Sequence, residues 1–100
     1  MTYLEELQHA IKAVHGVQTR HLASTPHEEV FRGKAVWKGD VEVFEVLDHP
    51  KANRVYAWGY YPTKTASHRE VVTVLGLPPV VSVKIAVKVG IAGVIKMGRS

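Results

Sequence analysis

Residues 36–61 read VWKGDVEVFEVLDHPKANRVYAWGYY, and the way this stretch divides decides the fold. Residues 35–47 and 54–61 are rich in Val, Trp, Tyr and Phe, the residues that suit a pleated, half-buried surface. Between them lies LDHPKANR, which combines an acid, an imidazole, two bases and a proline. Asp48 and His49 have the makings of an acid–base pair, and Lys51 with Arg54 those of an anion site. Against this, Pro50 pre-sets a turn, and Asp48 and Asn53 are common turn residues. The insert therefore reads first as a structural turn joining two antiparallel strands.

If Leu47 pairs with Arg54 across that turn, Val46 faces Val55 and Phe44 faces Ala57. Val43 then lies opposite Trp58, and Glu45 opposite Tyr56. One parity of the second strand is small (Val55, Ala57, Gly59) and the other is large (Tyr56, Trp58, Tyr60). Large side chains set against small ones on one face make sensible core packing. A slip of one residue, or a bulge, would exchange the two faces. Glu42 and Glu45 fall on opposite faces by strand alternation. Gly39 and Asp40 interrupt the first strand and predict a bulge there.

Working outward, residues 69–76 form a third strand, closed by Leu77-Pro78-Pro79. Upstream, residues 17–31 alternate as an edge strand would, with Pro26 expected to break or kink it. Arg32-Gly33-Lys34 makes the tight link, Gly33 supplying a positive φ. Residues 2–15 read as a helix: Thr2 and Glu5 form a capping box, Leu4, Leu7, Ile11 and Val14 make one apolar stripe, and Gly16 ends it. Residues 82–97 carry two patterns at once. Val81, Val83, Ile85 and Val87 alternate as in a strand, while Lys84, Lys88, Ala92 and Lys96 recur every fourth residue. Helix is preferred, because about 16 residues is long for a strand and Ser82 is a good N-cap. Its internal glycines, Gly90 and Gly93, would allow close packing.

The expected architecture is thus a single α+β domain over residues 1–100. It is a two-layer sandwich: an antiparallel meander of three to four strands, with the N- and C-terminal helices on one face. With 100 residues, 46% apolar and 22% charged, the composition is that of a globular chain and not a disordered one. The absence of cysteine excludes disulfides, thiolate nucleophiles and zinc sites of the thiolate kind. The formal charge of +4 is mildly basic and admits an anionic partner.

The six histidines include His9, His15, His21 and His27 at intervals of six, which is neither a helix face nor a metal-ligand spacing. No phosphate-binding or nucleophile-elbow motif occurs, so no catalytic residue, metal or cofactor is assigned. The early glutamates exclude a signal peptide. Lysines at 84 and 88 argue against a membrane span in the last helix, which reads instead as a helix packed on the sheet.

The segments VWKGDVEVFEV, HPKANRVYAW and LPPVVS…AV resemble a group of small uncharacterised bacterial proteins of about this length. That resemblance covers about two thirds of the chain and implies a cytoplasmic bacterial domain with a final helix after the prolines. The order helix–strands–helix also looks like the double-stranded-RNA-binding domain, although Ser82-Val83-Lys84 lacks that domain's basic opening to the second helix.

Two functional expectations follow. Helices on one face would leave the other bare, with Tyr56, Trp58 and Tyr60 exposed beside Val41 and Val43, a surface needing a partner. A second copy of the chain is the commonest such partner. Alternatively those rings are simply core. The second expectation is nucleic-acid binding, with Lys34, Lys38, Lys51, Arg54, Lys84 and Lys88 meeting phosphates.

Overall fold

A computed structural model describes residues 2–31, 33–61, 65–77, 80 and 82–97. For residues 31, 34–36 and 93–97 it describes the backbone alone. The elements run α1 (Tyr3–His15), β1 (Thr19–Phe31), β2 (Lys34–Val46), β3 (Arg54–Tyr60), β4 (Glu70–Leu75) and α2 (Val83–Met97). The four strands form one antiparallel sheet in chain order, β1-β2-β3-β4. This is the α+β meander expected, bracketed by terminal helices.

Local chemistry explains the element ends. The Thr2 hydroxyl accepts from the Glu5 N–H at 3.2 Å, and the Glu5 carboxylate accepts from the Thr2 N–H at 3.1 Å. The capping box is therefore complete. Hydrogen bonding to the Thr2 backbone N–H, and then to the Thr2 side chain, holds the Glu5 carboxyl below its usual range. Gly16 closes α1 at φ 70°, its N–H returning to the Lys12 carbonyl, and Gly33 turns the β1–β2 hairpin at φ 78°. The Ser82 hydroxyl accepts from the Ile85 N–H at 3.3 Å at the start of α2. Residues 83–97 are thus helical, and their alternating valines are distributed around a helix instead of along a strand.

β1 is not broken at Pro26. It runs unbroken for 13 residues, with Pro26 opposite Asp40, because an edge strand has one side on which no ladder donor is needed. The expected bulge at Gly39 and Asp40 is also absent. The register shifts instead between His21 and Ala23 and between Glu29 and Val30. Gly39 stays in the ladder opposite His27, and the Trp37 ring lies over it, 3.0 Å from where a β-carbon would stand.

The β2–β3 register pairs Glu45 with Arg54, Phe44 with Val55, Val43 with Tyr56 and Glu42 with Ala57. This is two residues from the expected pairing, so every side chain keeps its expected face. The layering differs. Leu7 and Ile11 of α1 pack with Phe44, Val46, Val55 and Ala57 on one face. Ala86 and Val87 of α2 pack with Val41, Tyr56, Trp58 and Val74 on the other. The helices cover opposite faces, not one, and the sheet is the middle layer. The chain that leaves β4 crosses to the second face, where Val80 joins the α2 cluster.

Candidate functional site

The crossing of α2 removes the expected bare aromatic surface. Trp58 is 1% exposed, Tyr56 6% and Val41 fully buried, while Val43 and Tyr60 are half-buried. Trp58 meets Trp37 with ring centroids 5.5 Å apart. The large parity of β3 is core, because apolar rings this size are stabilised most under a helix. Gly90 is what lets α2 settle there.

Among the described residues, the basic side chains expected to contact phosphate are spread over the β2–β3 turn, the far end of β2 and α2. Lys51 and Arg54 sit at the β2–β3 turn, where the Arg54 Nη1 donates to the Asn53 carbonyl at 3.1 Å. Lys38 lies eight positions along β2 from Val46, roughly 26 Å away at strand rise. It borders a hollow of about 310 Å³ across the hairpin, beside Pro26 and Asp40. Lys84 and Lys88 belong to α2, and the Lys88 Nζ donates to Glu29 Oε2 at 3.0 Å. The Lys34 side chain lies outside the described residues.

LDHPKANR is a turn whose polar groups serve the backbone. His49 Nδ1 accepts from the N–H groups of Lys51 (3.0 Å) and Ala52 (2.9 Å). Asp48 Oδ1 accepts from the Gln18 N–H at 2.8 Å, tying the turn to the entry of β1. Both groups that could have acted as acid and base are thus committed to holding the loop.

The sheet also holds two buried carboxylates, Glu42 and Glu29, whose partners the sequence did not reveal. Glu42 is 5% exposed and lies on the α1 face opposite Ala57. One of its oxygens accepts from His21 Nε2 at 2.8 Å and from the Ser24 hydroxyl. His21 stands edge-on to Phe44, with centroids 5.3 Å apart. A carboxylate behind an imidazole fixes its tautomer and orientation, as in a general base. Here, however, the serine donates to the carboxylate and not to the imidazole, so the nucleophile–base contact of a hydrolytic triad is missing. Nearby, the Tyr3 hydroxyl accepts from the Gly59 N–H at 2.8 Å, and Arg69 lies 4.4 Å from the Tyr3 ring centroid. Burial pushes the Tyr3 phenol above its usual range, and the charge of Glu42 adds to this.

On the α2 face, Glu29 is 8% exposed. Burial alone would raise its carboxyl. Hydrogen bonds from His27 Nε2 at 3.1 Å and from Lys88 outweigh this and hold it below the usual range. His21, Ser24 and Glu42 meet only once the β1–β2 register, with its irregularity at Leu22, is known, and Glu29 meets Lys88 only once α2 is docked.

The remaining surface features are a cleft and the sheet borders. The cleft, about 550 Å³, opens between α1 and the start of β1 and is lined by Gln8, His9, Lys12, Val17, Gln18 and Thr19. β1 and β4 are the two border strands. No helix among the described residues is long and apolar enough to cross a membrane. No protein-family model matches the chain, and neither a curated protein nor a solved structure matches it.

Proposed function

We propose that this chain is a non-catalytic interaction domain that assembles with a second copy through the border strand β4. The observation that carries this reading is the contrast between the two borders of the sheet. β1 is blunted in the ways that protect an edge: a register irregularity at Leu22, Pro26 in mid-strand, and charged Arg20, Glu28 and Glu29 along its length. β4, EVVTVL, has no proline, no bulge and a single charge, at its first residue.

The pairing geometry supports a two-fold contact. The Gly76 N–H donates to the Arg54 carbonyl at 2.8 Å, in line with the β3–β4 register. Antiparallel alternation then turns the N–H and C=O of residues 70, 72 and 74 toward β3 and those of Val71, Thr73 and Leu75 outward. Among the described residues, the only backbone hydrogen bond to that outer row is from the Leu77 N–H to the Leu75 carbonyl. A second β4 laid antiparallel about Thr73 would place Thr73 opposite Thr73, and Val71 opposite Leu75. Glu70 would then face Gly76, so no like charges meet. Helices on both faces leave edge addition as the way to extend this sheet, and an isologous contact is the commonest form of dimer.

The test is sedimentation equilibrium of the 11.1 kDa chain from roughly 10 μM to 1 mM, the range where a handful of added backbone hydrogen bonds registers. Thr73→Pro removes an outward N–H without touching the β3 ladder, and with it the 2.9 Å contact of the Thr73 hydroxyl with His15, so circular dichroism must first show the variant folded. Wild type is expected to reach twice the chain mass and Thr73→Pro to stay at the chain mass. A wild type that remains monomeric throughout, or a proline variant that dimerises equally well, would overturn the reading.

A further inference from the structure

We propose that the cleft between α1 and β1 binds a small organic carboxylate. The cleft holds about 550 Å³, within the range of small-molecule sites, and combines an apolar floor with a few polar groups, as such sites do. Val17, 4% exposed, forms the floor. Lys12 and His9, three residues apart on α1, stand on one wall; Gln18 and Thr19 form the other. The Gln8 side chain closes the back, its Nε2 donating to the Thr19 carbonyl at 3.2 Å. This pins helix to strand and fixes the width of the opening.

The charge pattern selects the ligand class. The lining contains a lysine and a histidine and no acid. The nearest acid stands outside the lining: Asp48 Oδ1 accepts from the Gln18 backbone N–H behind that wall, and Glu5 caps the Thr2 N–H. Among the described residues Lys12 makes no ion pair, unlike Arg20, Arg69 and Lys88, which bond Glu45, Glu6 and Glu29. An unpaired ammonium at the rim of an apolar-floored cleft, flanked by amide and hydroxyl groups, suits a carboxylate on a compact apolar body. The cleft lies at the β1 border and β4 at the opposite one, so occupancy does not depend on dimer formation.

The experiment is a titration of the ¹⁵N-labelled full chain with benzoate and, separately, with benzyl alcohol as the uncharged counterpart. With benzoate, amides within residues 8–19 are expected to shift and saturate with a dissociation constant on the order of 1 mM. Benzyl alcohol should bind about tenfold more weakly. Lys12→Gln should weaken benzoate by about tenfold while leaving the rest of the spectrum in place, since the side chain is exposed and unpaired. Thr73→Pro should leave the titration unaltered, which separates this site from the dimer contact. Absence of a saturable benzoate shift, equal binding of the alcohol, or undiminished benzoate binding by Lys12→Gln would overturn the proposal.

Discussion

Gly90 of α2 rests directly on the Trp58 ring of β3. A β-carbon at position 90 would stand 2.5 Å from one ring carbon, 2.7 Å from a second and 2.9 Å from Val72 Cγ1. Alanine in a helix interior is ordinarily worth about 1 kcal/mol over glycine. Here the added methyl has no room, and forced overpacking costs roughly 1–3 kcal/mol. Gly90→Ala is therefore expected to lower stability, with the emission of the Trp37–Trp58 pair shifted to longer wavelength as α2 lifts. Urea denaturation together with the fluorescence spectrum decides this. A variant more stable than wild type would show that the helix seats less tightly on the ring.

Glu42, His21 and Ser24 act as a unit. Removing the imidazole with His21→Ala leaves a buried carboxylate short of a charge-assisted donor, at a cost of about 1–3 kcal/mol. In that background Glu42→Gln should recover part of the loss, because a neutral amide tolerates a missing donor better. The two single variants and the double, compared by chemical denaturation, form a thermodynamic cycle. Effects that simply add, within about 0.5 kcal/mol, would mean that the contact contributes nothing specific.

His15 gives a pH dependence of determined sign. Its Nε2 shares a 2.9 Å hydrogen bond with Thr73 Oγ1. Burial lowers the imidazole below its ordinary value of 6.5, partly offset by hydrogen bonding at Thr73. The unfolded chain then binds a proton more readily than the folded one, so stability rises with pH across this window. The contribution is complete above the unfolded value of 6.5 and is lost as pH falls from there through the folded value. His15→Gln should flatten that part of the profile of urea midpoint against pH. An unchanged slope would assign the dependence to another group.

Much of the fold was legible because its signals are local. The Thr2–Glu5 capping box, Gly16 and Ser82 mark helix ends by chemistry confined to one turn. The large and small parities of RVYAWGYY sorted its side chains into faces, and a register two residues from the expected one left that sorting intact. The side on which α2 lies was not legible, since the Lys84–Lys88 stripe marks the helix's outer side but not which sheet face the helix covers, and the crossing is made between β4 and α2. The same blind spot applies to the carboxylate clusters. His21 and Glu42 are 21 positions apart and Lys88 and Glu29 are 59 apart, so neither association has a spacing to betray it.

Because strand order equals chain order, each ladder joins consecutive elements and closes only a short loop, which favours rapid zipping of the meander. The distant closures belong to the helices: Tyr3 must find Gly59 across 56 positions, and Lys88 must find Glu29 across 59. The sheet is thus expected to assemble with both hydrophobic sides uncovered before either helix docks. During that interval the chain would be most vulnerable to clumping with its neighbours on the ribosome or in a refolding flask.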